Sequence, residues 1–297
     1  MANLKEVKNR IQSVTSTQQI TSAMKMVAAA KLKRAQDRIT QMRPYSQKLT
    51  GILQNVSSAL DGDIENAFGE TREVENVLLV VVSSDRGLCG AFNNNIFKAA
   101  VNLINDKYSY EQKHDGVHIL PIGKKAFEYF SKRKYSVVDD YYDMFQDLTF
   151  DKVKKAAEFA MEEFREGNYD KVELVFNEFK NVATQIVRTE EFLPLQSVVP
   201  KDGEAKKKDV DYLFEPSTQY VVNELIPKSL KIQFYKAVLE SNASEHGARM
   251  TAMGQATDNA GDLLKQLKLT YNRTRQAAIT KEILEIVGGA EALASNS

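Results

Sequence analysis

Apolar side chains recur at spacings of three and four along both ends of the chain, and in short unbroken runs between them. At the N-terminal end they fall at Leu4, Val7, Ile11 and Val14, then Ile20, Met24 and Val27, then Leu32, Ala35, Ile39 and Met42. Within each group this is the stripe of a helix that docks on one partner helix. Ala28, Ala29 and Ala30 are strong helix formers, and neither Gly nor Pro occurs before Pro44. A helix of about forty residues spans roughly 60 Å. The pattern resumes with Leu49, Ile52, Leu53, Val56 and Leu60. It predicts a bend near Pro44 and an end around Asp61-Gly62.

The C-terminal stretch is longer and stricter. His246, Met250, Met253, Thr257, Ala260, Leu264, Leu267, Tyr271, Thr274 and Ala278 alternate spacings of four and three without a break. A heptad seam sustained this far is a coiled-coil signal. Ala243, Ala248, Ala252, Gly254, Ala256, Ala260 and Gly261 on and beside it are small enough to let two backbones approach closely. A helix from about Gln219 to Leu293 is roughly 110 Å long, with Pro227 and a kink near its beginning.

Between the ends the period changes. Val74–Val82 reads as a buried strand, followed by the turn-like Ser83-Ser84-Asp85-Arg86-Gly87. Asn94–Asp106 has a helical pattern, Val117–Ile122 reads as a strand, and Lys124–Arg133 and Lys152–Glu166 as helices. Lys171–Phe179 and Gln185–Leu193 alternate like the strands of a hairpin. Strands alternating with helices predict a small α/β domain with a mostly parallel sheet. Asp202–Asp211 reads as a polar loop. The division is then an N-terminal coiled-coil helix over 1–60, the α/β domain over 74–200, a loop over 201–216 and a C-terminal coiled-coil helix over 217–293. Two helices so unequal cannot cover each other fully. A lone helix in water is poorly stabilised by propensity, so a protein sleeve is expected around part of the longer one.

Composition narrows the function. Forty Lys+Arg balance forty Asp+Glu in 297 residues, which argues against a dedicated nucleic-acid binder. The longest strictly aliphatic run, Val77–Val82, is far short of the ~20 residues that cross a bilayer. No apolar signal region follows Met1, so the expectation is a soluble, unexported protein. Cys89 is the only cysteine, which excludes an intrachain disulfide and a Cys-based zinc cluster. His114, His118 and His246 are not spaced as a metal pair. Charge is uneven, however. Lys5, Lys8, Arg10, Lys25, Lys31, Lys33, Arg34, Arg38 and Arg43 face only Glu6 and Asp37 in the first 43 residues. This is either a solvated helix face or one that meets an acidic partner.

Two segments invite a chemical reading. Asp85-Arg86-Gly87-Leu88-Cys89-Gly90 and the following Ala91-Phe92-Asn93 join a strand to a helix. A glycine-rich turn there can bind phosphate. It lacks both the Lys-Ser/Thr of a P-loop and the three glycines of a dinucleotide fingerprint. A tight structural turn through Asp85, Arg86, Gly87, Cys89 and Gly90 is the preferred reading, with Cys89 a buried small side chain rather than a nucleophile. Glu282 and Glu285 are three apart on the last helix, the pattern of solvated charges more than of an acid/base pair.

Four segments together carry a resemblance. Ile11–Gln36 (IQSVTSTQQITSAMKMVAAAKLKRAQ) resembles the first helix of the gamma subunit of F-type ATP synthases. Ser84–Asn93 (SDRGLCGAFN) resembles the turn in that subunit's α/β domain. Ser244–Ala260 (SEHGARMTAMGQATDNA) and Leu269–Ala292 (LTYNRTRQAAITKEILEIVGGAEA) resemble its last helix. They occur in the family's order and include both ends. The resemblance implies an antiparallel coiled coil of the terminal helices with a Rossmann-like α/β domain beside its lower part. It implies a rotor shaft inside a hexamer of alternating alpha and beta subunits, with the epsilon subunit and the membrane c-ring outside. The chain is then non-catalytic and needs no cofactor or metal. It couples proton flow to ATP synthesis or hydrolysis at beta-subunit sites. By the same resemblance Met24 and Lys25 meet an acidic beta-subunit segment. Arg249, Arg275 and Gln276 align with positions that contact beta-subunit loops, and Glu282 belongs with this contact set. The single cysteine rules out the paired-thiol insert of chloroplast relatives, and no transit peptide is visible. A bacterial enzyme on the cytoplasmic face of the inner membrane is expected.

Two other functions stay open on the sequence. One is a nucleotide-dependent enzyme built on the α/β domain. The other is a coiled coil that binds nucleic acid through its basic N-terminal helix, although the first aromatic there is Tyr45 and no stacking platform accompanies the charge.

Overall fold

The computed structural model describes residues 4–59, 68–195 and 218–295. Helix α1 runs Leu4–Ala59 and carries Pro44 inside it. Strand β1 (Val77–Val82) leads through the glycine turn to α2 (Phe92–Lys107) and the short α3 (Ser109–Lys113). Next come β2 (Val117–Ile122), α4 (Lys124–Ser131), the two-residue β3 (Ser136–Val137) and a single 3-10 turn at Met144–Gln146. Then follow α5 (Phe150–Arg165), β4 (Lys171–Phe179), β5 (Gln185–Leu193) and α6 (Thr218–Ser295), which holds Pro227. The expected end of α1 at Asp61-Gly62 and the expected loop at Asp202–Asp211 lie outside the described residues.

The chain divides into two compact units. One draws on Met1–Ala28 and Met250–Ser297, the other on Ala29–Arg249. The second holds the sheet, in the order β3-β2-β1-β4-β5. β1 pairs parallel with β2 and with β4, β2 pairs parallel with β3, and β4 and β5 form the expected antiparallel hairpin. β1 is unbroken Val and Leu because both of its faces are covered. Leu78, Val80 and Val82 pack with α5 and with Leu230, Phe234 and Val238 of α6. Val77, Leu79 and Val81 pack with Ile96, Phe97 and Ala100 of α2 and Phe130 of α4. Burying a Leu or Phe side chain is worth about 1.5–3 kcal/mol, so these cores, not helix propensity, hold the Leu230–Val238 stretch of α6 in place. β3 and α3 are too short to leave a periodic signal in the sequence.

In the other unit, α1 and α6 pack antiparallel. Thr21 Oγ1 lies 2.8 Å from Thr257 Oγ1. A Cβ on Gly254 would meet the Lys25 side chain at 3.6 Å, and one on Gly261 would meet Gln18 Nε2 at 3.0 Å. The partner numbers fall on α1 as they rise on α6. The α6 seam lies where its spacing predicts: Met253, Ala260, Leu264 and Leu267 are buried.

The α1 stripe needs one correction. Ile20 and Val27 are 60% and 57% exposed, whereas Thr21 and Ala28 are buried. The seam keeps its alternation of three and four from Ile11 and Val14 through Gln18, Thr21, Lys25 and Ala28 to Leu32 and Ala35. A polar stretch of seam thus faces the small residues of α6, where side-chain size and a Thr–Thr contact matter more than hydrophobicity. Apolarity alone put this part of the stripe on the wrong face.

Beyond the seam, α6 outruns its partner. The pairing of residues 18, 21 and 25 with 261, 257 and 254 places Leu4 opposite the region of Thr274. Residues 281–290 are exposed throughout, including Ile283 at 54%, Leu284 at 66% and Ile286 at 71%. Leu267→Ala should therefore cost about 2–4 kcal/mol. Leu284→Ala should change stability by less than ~0.5 kcal/mol. Urea unfolding of the two variants, followed by circular dichroism, checks the contrast.

Candidate functional site: the turn at the sheet edge and the face of α6

In open α/β sheets the ligand crevice lies beyond the C-terminal ends of the strands, where the strand order reverses. Here that point is between β1 and β4, because the connections from β1 go to one side through β2 and β3 and β4 lies on the other. Helix α6 occupies it. Ser241 Oγ donates to the carbonyl of Val82 at the end of β1 (3.5 Å). One turn on, Ser244 Oγ donates to the carbonyl of Asn177 in β4 (3.1 Å). Glu240 accepts from the Phe179 amide (3.1 Å) and faces Arg43 of α1 at 3.5 Å. A Cβ on Gly247 would meet the Phe179 ring at 3.3 Å, so the helix passes close to the end of β4 at this glycine. The two serines give strand-end carbonyls that would otherwise be buried unsatisfied a hydrogen-bond donor from α6.

The glycine turn sits beside this helix. Leu88 and Gly90 both take positive φ, 64° and 61°. Ser84 is its hub. Its amide donates to Asn93 Oδ1 (3.0 Å), and its hydroxyl donates to the Arg86 carbonyl (2.7 Å) and accepts from Asn93 Nδ2 (2.8 Å). Asp85 accepts from the Lys124 amide at 3.2 Å and so places a carboxylate at the N-terminus of α4, where the helix dipole favours it. Gly123, at φ 108°, precedes that helix, and a Cβ there would meet the Ser83 carbonyl at 2.6 Å. Cys89 is buried. Burial pushes its thiol up from the ordinary range, which opposes thiolate chemistry.

The polarity of the turn is the reverse of a phosphate loop's. A phosphate loop aims amides at an anion. This turn aims the carbonyls of Arg86 and Gly87 at a cation, Arg249 Nη2, at 2.8 and 3.2 Å. Arg249 Nη1 bonds Glu245 one helical turn back and lies 3.5 Å from His246 Nδ1. Burial raises the Glu245 carboxyl above its usual range, with Arg249 pulling the other way. Burial first, then Arg249 and Lys31, lower His246 to about 4. The imidazole is thus neutral at physiological pH and able to accept a hydrogen bond from the guanidinium.

The six expected contact residues are not brought together. Met24 is half-buried and Lys25 exposed, with the Lys25 stem over Gly254. Arg275, Gln276 and Glu282 are exposed on the outlying part of α6. Arg249 is partly buried and engaged by the turn and by Glu245. Its link to the turn was missed in the sequence because the two segments lie more than 160 residues apart. Glu282 and Glu285 are both exposed, as solvated charges are, and Glu285 faces Lys281 at 3.5 Å. Among the described residues no group of three or more His, Cys, Asp and Glu side chains is placed to hold a metal ion, and no helix is long and apolar enough to cross a membrane. Part of the basic N-terminal charge is engaged internally: Lys33 pairs with Asp37, Arg43 with Glu240, and Arg38 donates to the Leu148 carbonyl.

Known proteins place the chain. The family model described as "ATP synthase" matches residues 3–293. The "ATP synthase gamma chain" of Cytophaga hutchinsonii is 59% identical over 293 residues, 99% of each chain. That of Flavobacterium psychrophilum is 57% identical over the same share. Among solved structures, a chain of the central stalk and c-ring of Tetrahymena thermophila mitochondrial ATP synthase is 27% identical. It matches with a TM-score of 0.58, over 80% of this chain and 99% of that one. A chain of the Euglena gracilis mitochondrial enzyme, 20% identical, shares the fold with a TM-score of 0.66 over 98% and 94%.

The pH dependence of stability follows from His246. Its folded value lies below the ordinary 6.5, so the unfolded chain takes up a proton first as pH falls. Stability should drop between about pH 6.5 and 4, by up to about 3 kcal/mol from this group. Glu245, shifted upward, works in the opposite direction near the acid end. His246→Gln should flatten the loss, as read from urea midpoints at pH 7, 6, 5 and 4.5.

Proposed function

The chain belongs to the ATP synthase gamma-chain family, and from that premise we propose that it is the central rotor shaft of an F-type ATP synthase, turning inside a hexamer of alpha and beta subunits. The full-length match at 59% identity to an ATP synthase gamma chain carries this reading. The outlying part of α6 supports it. A helix with exposed Ile279, Ile283, Leu284, Ile286 and Val287 is suited to a surrounding protein sleeve and not to water.

The mechanism needs no chemistry from this chain. ATP forms and breaks on the beta subunits. An asymmetric shaft in a pseudo-threefold ring touches each beta subunit differently, and those differential contacts bias each site toward an open or a closed state. Turning the shaft moves the bias from site to site, so rotation driven by the membrane c-ring becomes ATP release. Hydrolysis turns the shaft the other way. The foot and the α/β domain face the epsilon subunit and the c-ring. The protein is peripheral and lies on the cytoplasmic face of a bacterial inner membrane, as the bacterial relatives suggest. The functional parts are the shaft helices at 1–60 and 217–293, the α/β domain at 74–200 and the loop at 201–216.

Met24, Lys25, Arg275, Gln276 and Glu282 are assigned to the hexamer contact; Arg249, which the resemblance placed with them, is assigned to the turn because its guanidinium is engaged there. Their exposure supports this, as does the exposed apolar surface of Ile20, Met26 and Val27 beside the first two. The nucleotide-enzyme alternative is disfavoured because α6 fills the crevice where such a ligand sits. The nucleic-acid alternative is disfavoured because part of the basic charge is paired within the chain.

Reconstitution tests the reading. One copy of the chain should join three alpha and three beta subunits on gel filtration and raise steady-state ATP hydrolysis. Failure to assemble with cognate subunits, or ATPase activity from the chain alone, would refute it. Exposed ion pairs are worth only ~0–1 kcal/mol each. Arg275→Ala alone should therefore lower turnover by no more than about five-fold, and Arg275→Ala with Gln276→Ala and Glu282→Ala by distinctly more. Steady-state ATPase assays of the reconstituted complexes measure both.

A further inference from the structure

The polar groups that tie α6 to the sheet form a line from Glu240 to Arg249, and the last differs from the others. Ser241 and Ser244 each contribute a single bond to a strand. Arg249 joins three groups with one rigid fork: the carboxylate of Glu245 on its own helix and the carbonyls of Arg86 and Gly87 across the gap. Its side chain is only 12% exposed.

The turn that it grips is not in a conformation its residues favour on their own. Leu88 has φ 64° with its side chain 65% exposed. A left-handed conformation costs a residue with a Cβ roughly 1–2 kcal/mol, and no burial of the Leu88 side chain offsets it. Such strain persists when surrounding contacts over-determine it. The Arg86 carbonyl accepts from both Ser84 Oγ and Arg249 Nη2. The first of these donors belongs to the turn itself and the second to the helix.

We propose that Arg249 is a positioning residue that locks the Ser84–Asn93 turn onto the Glu240–Arg249 stretch of α6, so that the α/β sheet follows this stretch when it turns. It acts through the turn and not by touching the subunits around the shaft. Packed helices slide past their neighbours by small shear steps when apolar contacts alone hold them. A guanidinium fork fixes direction as well as distance, which a lysine ammonium does not. The rotational half of this proposal rests on the shaft reading; the lock itself does not.

The chain carries its own reporter. Cys89 is the only cysteine, follows Leu88 directly and is 1% exposed. Its alkylation by N-ethylmaleimide at constant pH therefore reads opening of the turn in the full-length chain. Arg249→Met should raise the rate about ten-fold or more, and Arg249→Lys several-fold although the charge is kept. Leu267→Ala, which loosens the helix pair of the other unit, should leave it within about two-fold. Should Arg249→Met not fold by circular dichroism, Glu245→Gln removes the carboxylate behind the fork at nearly constant shape and should raise the rate by a smaller factor. An unchanged rate in a folded Arg249→Met chain, or in folded Glu245→Gln if that variant is needed, overturns the lock. In the complex with alpha and beta subunits, Arg249→Met should assemble normally and lose several-fold in stimulated ATP turnover. Faster Cys89 alkylation with full turnover would overturn the rotational role and leave the shaft reading standing.

Discussion

Everything in the unit that holds the sheet depends on α6 lying across the C-terminal ends of β1 and β4. A parallel sheet of this kind leaves a crevice at its strand-order reversal, and the strand ends there present carbonyls and amides that need partners. Here one long helix supplies them, with Ser241, Ser244 and Glu240 bonding where a nucleotide's polar groups would bond in an enzyme. The fold has given its ligand site to its own shaft. That exchange explains why a doubly wound sheet performs no chemistry here, and why small or hydroxylic residues cluster on this stretch of α6.

The interactions that set the rest are of two physical kinds. Where α6 meets the sheet, two apolar cores and a polar line hold it. Where α6 meets the N-terminal part of α1, the contact is narrow, with Thr21 on Thr257, Gln18 by Gly261 and the Lys25 stem over Gly254. A seam with this much polar and small surface holds two helices close without a large hydrophobic gain. It leaves Ile20, Met26 and Val27 on the outside of the pair.

Much of this was legible in the chain. β2, β4 and β5 fall on their expected residues because a run of Val and Ile, or a strict alternation, has no helical competitor of the same length. The α6 seam was legible because ten positions repeat one spacing. The phase of α1 was not. Gln18, Thr21 and Lys25 belong to the seam but look like surface, and the eye follows Ile20 and Val27 instead. Arg249 was legible only as a charged residue on the last helix and its clasp was not, since pairing between segments so far apart is fixed by tertiary structure. The positive φ at Leu88 was not legible, because leucine carries no left-handed signal.

The outlying end of α6 has a consequence for the cell as well as for the shaft. A free copy of this chain exposes Ile279, Ile283, Leu284, Ile286 and Val287 along one short stretch of helix, which is a surface for unwanted self-association until a proper partner covers it. Synthesis out of proportion to its partners would load the quality-control machinery with a folded but sticky protein. Stoichiometric expression, or prompt capture by the first subunits to appear, is thereby written into the length by which one helix exceeds the other.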